Sequence, residues 1–232
     1  MDGARAVCLM RAGGLAGTLC WWAMRIIAGT YGSRRLEAPP GLSTRPTSDR
    51  LRETLFNVLA PRFNFTSGSG TGTGAAFLDL YAGSGAVGLE ALSRGAARVT
   101  FVERAPGALK ALRRNLERLG IESGFAVREQ SVAAFLRVAA KASAKPPPHE
   151  GAKPGRHELI FLDPPYDAAE EYAATLGVLG EAQGILAPGA LIIAEHRRKQ
   201  SLEGRYGGLK RTRLLEQGDA ALSFFEAVAE LG

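Results

Sequence analysis

Cysteine is nearly missing from this sequence: there are two, Cys8 and Cys20, both within the first two dozen positions. They form no C-x-x-C pair, which leaves no basis for a disulfide framework or a cysteine zinc site. Histidine is scarce too, at three, and no metal is expected. So little cysteine fits a reducing cytoplasm. A long apolar run is also lacking. A membrane-crossing helix needs roughly 20 apolar residues, and the best candidate, Leu15 to Ala23 with Trp21 and Trp22, is short and broken by glycine. With Arg5 and Arg11 upstream it has the outline of a signal peptide, but Arg11 interrupts it. The expectation is no membrane partner, with 1–23 a disordered extension or an upstream start in place of Met24.

An acidic balance is absent as well. Lys and Arg number 29 against 23 Asp and Glu, for a net charge of +6 and a pI near 9.6. Such a chain suits a polyanionic partner, because each phosphate paired with Lys or Arg releases counterions. What is present is an ordinary globular composition: 232 residues, 46% hydrophobic and 22% charged, enough for one domain with short additions.

Two segments read as insertions. Residues 63–75 contain NFTSGSGTGTG, a flexible-linker composition. Residues 140–157 carry three consecutive prolines and no apolar period, and are expected to form a mobile loop. Before the first lies a small N-terminal part, 24–62. It offers two short strands, 25–28 and 33–37, then a helix from Ser48 to Leu59 with Leu51, Leu55, Val58 and Leu59 on one stripe. Ser48 is its expected N-cap, and Pro61 lies just past its end.

From residue 76 onward the pattern alternates. Short apolar runs at 76–80, 99–102, 125–128, 159–162 and 191–194 read as strands. Between them, 86–94, 105–119, 132–139 and 170–179 read as helices. Runs at 211–215 and 223–228 read as two further strands around Gln217-Gly218-Asp219. This order predicts an α/β fold: a mostly parallel sheet with helices on both faces and an antiparallel C-terminal addition.

The chemistry sits in two places. Asp79-Leu80-Tyr81-Ala82-Gly83-Ser84-Gly85 follows the first strand and opens a helix. Glycines there let backbone approach a ligand at the carboxyl edge of the sheet. Glu103, closing the second strand, is placed to accept ribose hydroxyls. Gly83 to Gly88 also fits the dinucleotide pattern G-x-G-x-x-G, so the loop alone does not separate a dinucleotide from S-adenosyl-L-methionine. Asp79 favours the latter, since a carboxylate repels a pyrophosphate and attracts a sulfonium or ammonium.

The second place is Asp163-Pro164-Pro165-Tyr166, directly after the fourth strand. Two prolines stiffen the turn. An exocyclic base amine is a poor nucleophile because its lone pair is delocalised into the ring. Two acceptors, Asp163 and the Pro164 carbonyl, can hold its hydrogens and favour a pyramidal nitrogen. Asp163 can also take up the proton. Tyr166 offers a ring for stacking, worth roughly 1–3 kcal/mol. Taken alone, Asp-Pro-Pro is also a common structural turn.

Together these motifs resemble the amino-methyltransferases of nucleic-acid bases. Arg25 to Gly29, Arg45-Pro46-Thr47-Ser48-Asp49-Arg50-Leu51-Arg52-Glu53-Thr54-Leu55-Phe56-Asn57 and Leu89 to Gly95 narrow the resemblance to bacterial 16S rRNA guanine-N2 methyltransferases of the RsmD type. It spans about Met24 to Val228. It implies a Rossmann-like class I fold with a seven-stranded sheet, and S-adenosyl-L-methionine as donor with S-adenosyl-L-homocysteine as product. It also implies one target guanine, position 966, in the small ribosomal subunit or an assembly intermediate, and a monomeric cytoplasmic enzyme.

The resemblance places Thr47 over the methionine end of the donor. Asp79, Tyr81, Gly83, Ser84 and Gly85 fall around its amino acid and sulfonium, Glu103 at its ribose, and Asp163 to Tyr166 at the guanine. Arg25, Arg45, Arg50 and Arg52, with Arg34 and Arg35, become candidates for phosphate contacts. Ser131, after Gln130, stands where such enzymes often carry Asp or Asn near the adenine. His196, after the fifth strand, reads as a surface residue. Two alternatives stay open: the same chemistry on DNA or another RNA, and a non-catalytic RNA-binding assembly factor.

Overall fold

The computed structural model describes residues 24–39, 48–63, 65, 74–143, 156–165, 168–181 and 184–228. The expectations for 1–23, for most of 63–75 and 140–157, and for Arg45, Thr47 and Tyr166 lie outside the described residues.

The chain begins with two backbone stretches joined by a single antiparallel bridge, Arg25 to Arg35. Two strands were expected here. The Ile26, Ser33 and Leu36 N–H groups bond across the pair, but those of Ile27 and Ala28 donate to the Glu90 carboxylate, and that of Tyr31 to the Ser93 hydroxyl. Helix α1 (Asp49–Leu59) follows. The Ser48 hydroxyl accepts the Leu51 N–H at 3.2 Å, satisfying one of the free donors of the first turn. Leu51, Leu55, Phe56 and Leu59 are buried.

The remaining elements are β1 (Ala76–Leu80), α2 (Ala86–Ser93), β2 (Arg98–Glu103), α3 (Pro106–Leu119), β3 (Phe125–Glu129), α4 (Val132–Ser143), β4 (His157–Leu162), α5 (Ala169–Glu181), β5 (Leu186–Arg197), β6 (Arg205–Tyr206), β7 (Leu209–Gln217) and β8 (Ala220–Ala227). They make one eight-stranded sheet in the order β3-β2-β1-β4-β5-β8-β7-β6. The first five strands are parallel and the pairings beyond β5 are antiparallel. The addition beyond the expected seven is β6, whose two residues are too short to show a period. This is the Rossmann-like class I arrangement.

Strand alternation sorts the core into two layers. Phe77, Phe101, Phe161, Ile193 and Phe224 pack under α1, α2 and α3. Leu78, Leu80, Ile160, Ile192 and Phe225 pack with residues of α4 and α5. β1 is covered on both faces, so all five of its residues are buried. Its neighbours are β2 on one side and β4 on the other. The winding reverses there, and a crevice opens beyond the strand ends. Among the described residues no helix is long and apolar enough to cross a membrane.

The N-terminal part is tied to this body by a buried ion network. Glu90 of α2 is 0% exposed. It accepts the two N–H groups above, pairs with Arg94 at 2.6 Å and lies 3.8 Å from Arg52. Asn115 of α3 adds a second tie: its amide donates to the Glu37 and Ser84 carbonyls, and its oxygen accepts the Glu37 N–H. Removing one partner of a buried, hydrogen-bonded charge leaves the other uncompensated, at a cost of about 3–5 kcal/mol. Glu90→Ala should lower unfolding stability by that amount in urea melts, and a loss under about 1 kcal/mol would contradict this account.

Candidate functional site

The site forms where β1, β2 and β4 end. After Leu80 the chain turns sharply: Tyr81 holds φ +61 and Gly83 φ +57. A non-glycine residue in this region is uncommon, costs about 1–3 kcal/mol and clusters at functional sites. The Tyr81 hydroxyl donates to Glu171 of α5 at 2.7 Å, with the Thr175 hydroxyl 2.8 Å away. These contacts fix the ring as a wall.

Two glycines serve different ends. A Cβ on Gly85 would lie 2.4 Å from Leu112 Cδ1, so that glycine lets the loop close onto α3. A Cβ on Gly83 would meet only the Tyr81 carbonyl oxygen, at 4.0 Å, and would project into the open crevice. Carboxylates brace the loop from both sides. Asp79 Oδ2 accepts the Gly88 N–H at 2.9 Å. Glu103 Oε2 accepts the Gly83 N–H at 2.8 Å, while its Oε1 accepts the N–H groups of Arg104 and Ala105. Asp79 is 2% exposed. Burial pushes its pKa up to about 7, with the Gly88 hydrogen bond opposing and Glu103 adding to the rise.

Across the crevice, Asp163 follows β4, with Pro164 buried and Pro165 exposed behind it. Burial raises the Asp163 pKa well above its ordinary value, and the charges of Glu195 and Asp79 raise it further. The enclosed space is about 450 Å³. It brings together Asp79, Tyr81, Gly83, Ser84, Glu103, Ser131, Asp163, Pro164 and Pro165, which the sequence had placed in one site. Gly85 stands behind this wall, against Leu112. The ionisable residues of the described lining are Asp79, Glu103, Asp163 and Glu171 against Arg104; even where Asp163 holds a proton the acids outnumber the cation, which favours a cationic ligand. Ser131 contributes at the rim, where its hydroxyl also accepts the Ala134 N–H at the start of α4.

A wider groove, about 770 Å³, runs along β3 past Arg98, Thr100, Arg128, Phe135 and His157. It touches neither the glycine loop nor the Asp-Pro-Pro turn. Burial first, and then the Arg98 charge, lowers the His157 pKa to about 4, so the ring is neutral at pH 7.

Two expectations need correction. Arg52, expected on phosphate, is 0% exposed. It donates to Asp49 at 2.9 Å and to the Arg25 carbonyl. Burial lowers its pKa, while Glu90, Asp49 and Glu195 act against that shift. It is an internal counter-charge. Positions 52, 56 and 59 share one helix face, so the burial of Phe56 and Leu59 implies its own. His196, expected at the surface, is 3% exposed. It lies 2.9 Å from the Ser223 hydroxyl and 6.4 Å, edge to face, from Tyr172. It continues the alternation of Ile192 and Ala194, away from the crevice. Arg25 and Arg50 remain exposed, Arg25 beside Asp49 at 3.3 Å.

Sequence reasoning missed Met24, Ala38 and Pro39, which the N-terminal part contributes to the crevice wall; isolated apolar residues in an irregular segment carry no spacing signal. It also assigned no role to Glu195, which is 4% exposed and close enough to act electrostatically on both Asp163 and Arg52.

Comparison with known proteins agrees with this geometry. Residues 24–226 match the family model described as Conserved hypothetical protein 95. The Escherichia coli K12 protein named Ribosomal RNA small subunit methyltransferase D is 37% identical over 181 residues, 77% of each chain. The Haemophilus influenzae protein of the same name is 36% identical over 182 residues, 77% of this chain and 81% of its own. Among solved structures, Escherichia coli yhhF superposes with a TM-score of 0.68 at 31% identity, covering 88% of this chain and 98% of its own. A hypothetical protein of Thermus thermophilus gives 0.67 at 30%, covering 86% and 97%. The chain is thus a methyltransferase and belongs to the Conserved hypothetical protein 95 family, the RsmD-type enzymes.

Proposed function

We propose that this enzyme transfers a methyl group from S-adenosyl-L-methionine to N2 of one guanine, position 966, of 16S rRNA. In this reading it works as a monomer in the cytoplasm, on the small ribosomal subunit or an assembly intermediate. The observation that carries the reading is the opening of the Asp163-Pro164 turn into the same crevice as the glycine loop and Asp79. The relatives named for small-subunit rRNA methylation support the RNA substrate.

The lining fits the donor. Its excess of carboxylates suits a sulfonium and an ammonium and opposes a pyrophosphate. The open space beside Gly83 is room that a side chain would take. Asp79 and the loop backbone would hold the amino-acid end. Glu103, whose Oε2 retains a lone pair beyond the Gly83 N–H it accepts, would hold the ribose. Gln130, Ser131 and Val132 would border the adenine, with the hydroxyl of Ser131 shared with the helix start.

The donor supplies an electrophilic methyl group. Asp163 and the Pro164 carbonyl hold the two N2 hydrogens and turn the nitrogen lone pair toward that carbon, with Tyr166 beneath the base. As N2 bonds the methyl carbon, the sulfur–carbon bond breaks and its electron pair stays on sulfur, giving S-adenosyl-L-homocysteine. One N2 proton passes to Asp163. Its raised proton affinity favours Asp163, once ionised, as the acceptor of that proton. Positioning and polarisation are the protein's share of the rate. Arg25 and Arg50 would grip phosphates at the entrance.

The direct test is transfer of labelled methyl to small subunits from cells lacking this gene, with naked 16S rRNA and duplex DNA as parallel substrates and nucleoside mass mapping. N2-methylguanosine confined to the 16S strand is expected; label only in DNA, or in none, would overturn the reading. Asp163→Ala should lower kcat by about 10²–10³-fold while leaving RNA affinity unchanged; retention of more than half the activity would exclude the assigned role. Donor affinity should depend on pH through Asp79. Its folded-state pKa lies above the free value, so the apo protein carries a proton there below about pH 7, and a cationic ligand must displace it. Affinity should therefore rise from pH 6 to 7.5, and Asp79→Asn should flatten that rise; an equal slope in both proteins would refute the coupling.

A further inference from the structure

We propose that Glu195 is a positioning residue for methyl transfer: a second carboxylate, on β5 beside the end of β4, that holds Asp163 in a carboxylate pair. This rests on the functional reading above for the role of Asp163, but the pairing itself can be tested without it.

The register sets the geometry. Leu162 of β4 pairs with Ala194 of β5, so Asp163, just past the end of β4, lies beside Glu195 within β5, about 4.8 Å apart in backbone terms. Both continue the alternation of Phe161 and Ile193, which face the layer under α1. Asp79 continues that of Phe77 on the same face. Three carboxylates thus line one edge of three adjacent strands. Glu195 is 4% exposed, and its backbone carbonyl accepts the Tyr172 hydroxyl from the opposite layer at 2.8 Å, which pins the strand end.

Of the three, Glu195 also lies within electrostatic reach of Arg52. Arg52 is wholly buried, and its Nε and Nη1 make no hydrogen bond among the described residues. Glu90 and Asp49 pair with it directly, and Glu195 acts on it through space. The charged groups around Asp163 are Asp79 from β1 and Glu195 from β5, which act on it directly, and Glu103 from β2, Arg104 after it and Glu171 from α5, which line the same crevice. The two nearest influences, Glu195 and Asp79, both oppose its ionisation.

Neighbouring carboxylates do not ionise together, and their titrations belong to the pair. The consequence is chemical. A lone carboxylate is a weak base at neutral pH, whereas Asp163 beside Glu195 holds a proton more tightly and accepts the N2 proton more readily. Glu195 need not touch the guanine to have this effect.

The test uses the full chain and two readouts. In the first, aspartate carboxyl carbons are labelled with ¹³C and the Asp163 signal, assigned by its loss in Asp163→Asn, is titrated with no substrate present. Glu195→Gln should lower the Asp163 midpoint by about one pH unit, and Glu195→Asp, which keeps the charge, should restore most of it. In the second, kcat for methyl transfer to unmodified small subunits is followed against pH. Glu195→Gln should move the acid limb down by the same amount and reduce the plateau roughly tenfold, with KM for the donor unchanged. An Asp163 midpoint that is unmoved in both variants, or that rises in Glu195→Gln, overturns the pairing. If the midpoint shifts as stated but the wild-type protein methylates no small subunit, the pairing stands and the functional reading above fails. Should Glu195→Gln fail to fold, Glu195→Ala takes its place: a lowered Asp163 midpoint supports the pair, an unmoved one overturns it.

Discussion

A fully buried arginine holds this molecule's functional edge together. Arg52 is wholly buried, with Glu90 and Asp49 as direct partners and Glu195 within electrostatic reach. Charge in such a place is costly unless compensated. Here the compensation comes from three separate parts of the chain: α1 brings the cation, α2 brings Glu90, and β5 brings Glu195. Glu90 in turn takes the backbone donors of Ile27 and Ala28, which draws the N-terminal part onto the body. The same segment contributes Met24, Ala38 and Pro39 to the crevice wall. One network therefore docks the N-terminal part, helps shape the binding space and sits beside the carboxylates that would handle the amine.

The sheet explains why those carboxylates converge. Asp79, Asp163 and Glu195 come from positions 116 residues apart at the extremes, yet β1, β4 and β5 are consecutive neighbours. Each acid follows an apolar residue of the same face by two positions. A crevice at a winding reversal is a general property of open α/β sheets. Its selectivity here comes from sign: acids outnumber cations among the described lining residues. The Asp-Pro-Pro turn adds a second set of acceptors within the same space, which a dinucleotide oxidoreductase would not require.

Much of this was legible in the residues. The run 76–80 and the helix start at Ala86 stand where the alternation of periods put them, because buried parallel strands and amphipathic helices carry strong patterns. The glycine loop and Asp163 were legible because their chemistry demands particular residue types. What escaped had physical reasons. β5 extends from Leu186 through Pro188 and Gly189, residues that ordinarily break strands, and β7 is dense in Lys and Arg because much of it faces solvent. Arg52 was misread because a basic residue beside other arginines suggests a surface, while its helical phase with Phe56 and Leu59 pointed inward. His196 was misread in the same way, against its alternation with Ala194. Glu195 could not be assigned at all from sequence, since its significance depends on a neighbour 32 positions away that only the strand register supplies.

The central claim is that one crevice presents a donor's reactive end to the Asp163 corner. A crystal structure of the protein with S-adenosyl-L-homocysteine bound measures this directly. The account predicts the sulfur within about 6 Å of the Asp163 carboxylate, close enough for an attacking nitrogen and a methyl carbon about 3 Å apart to fit between them. Homocysteine density against the glycine loop with its sulfur directed away from Asp163, or more than about 10 Å from it, would contradict the claim.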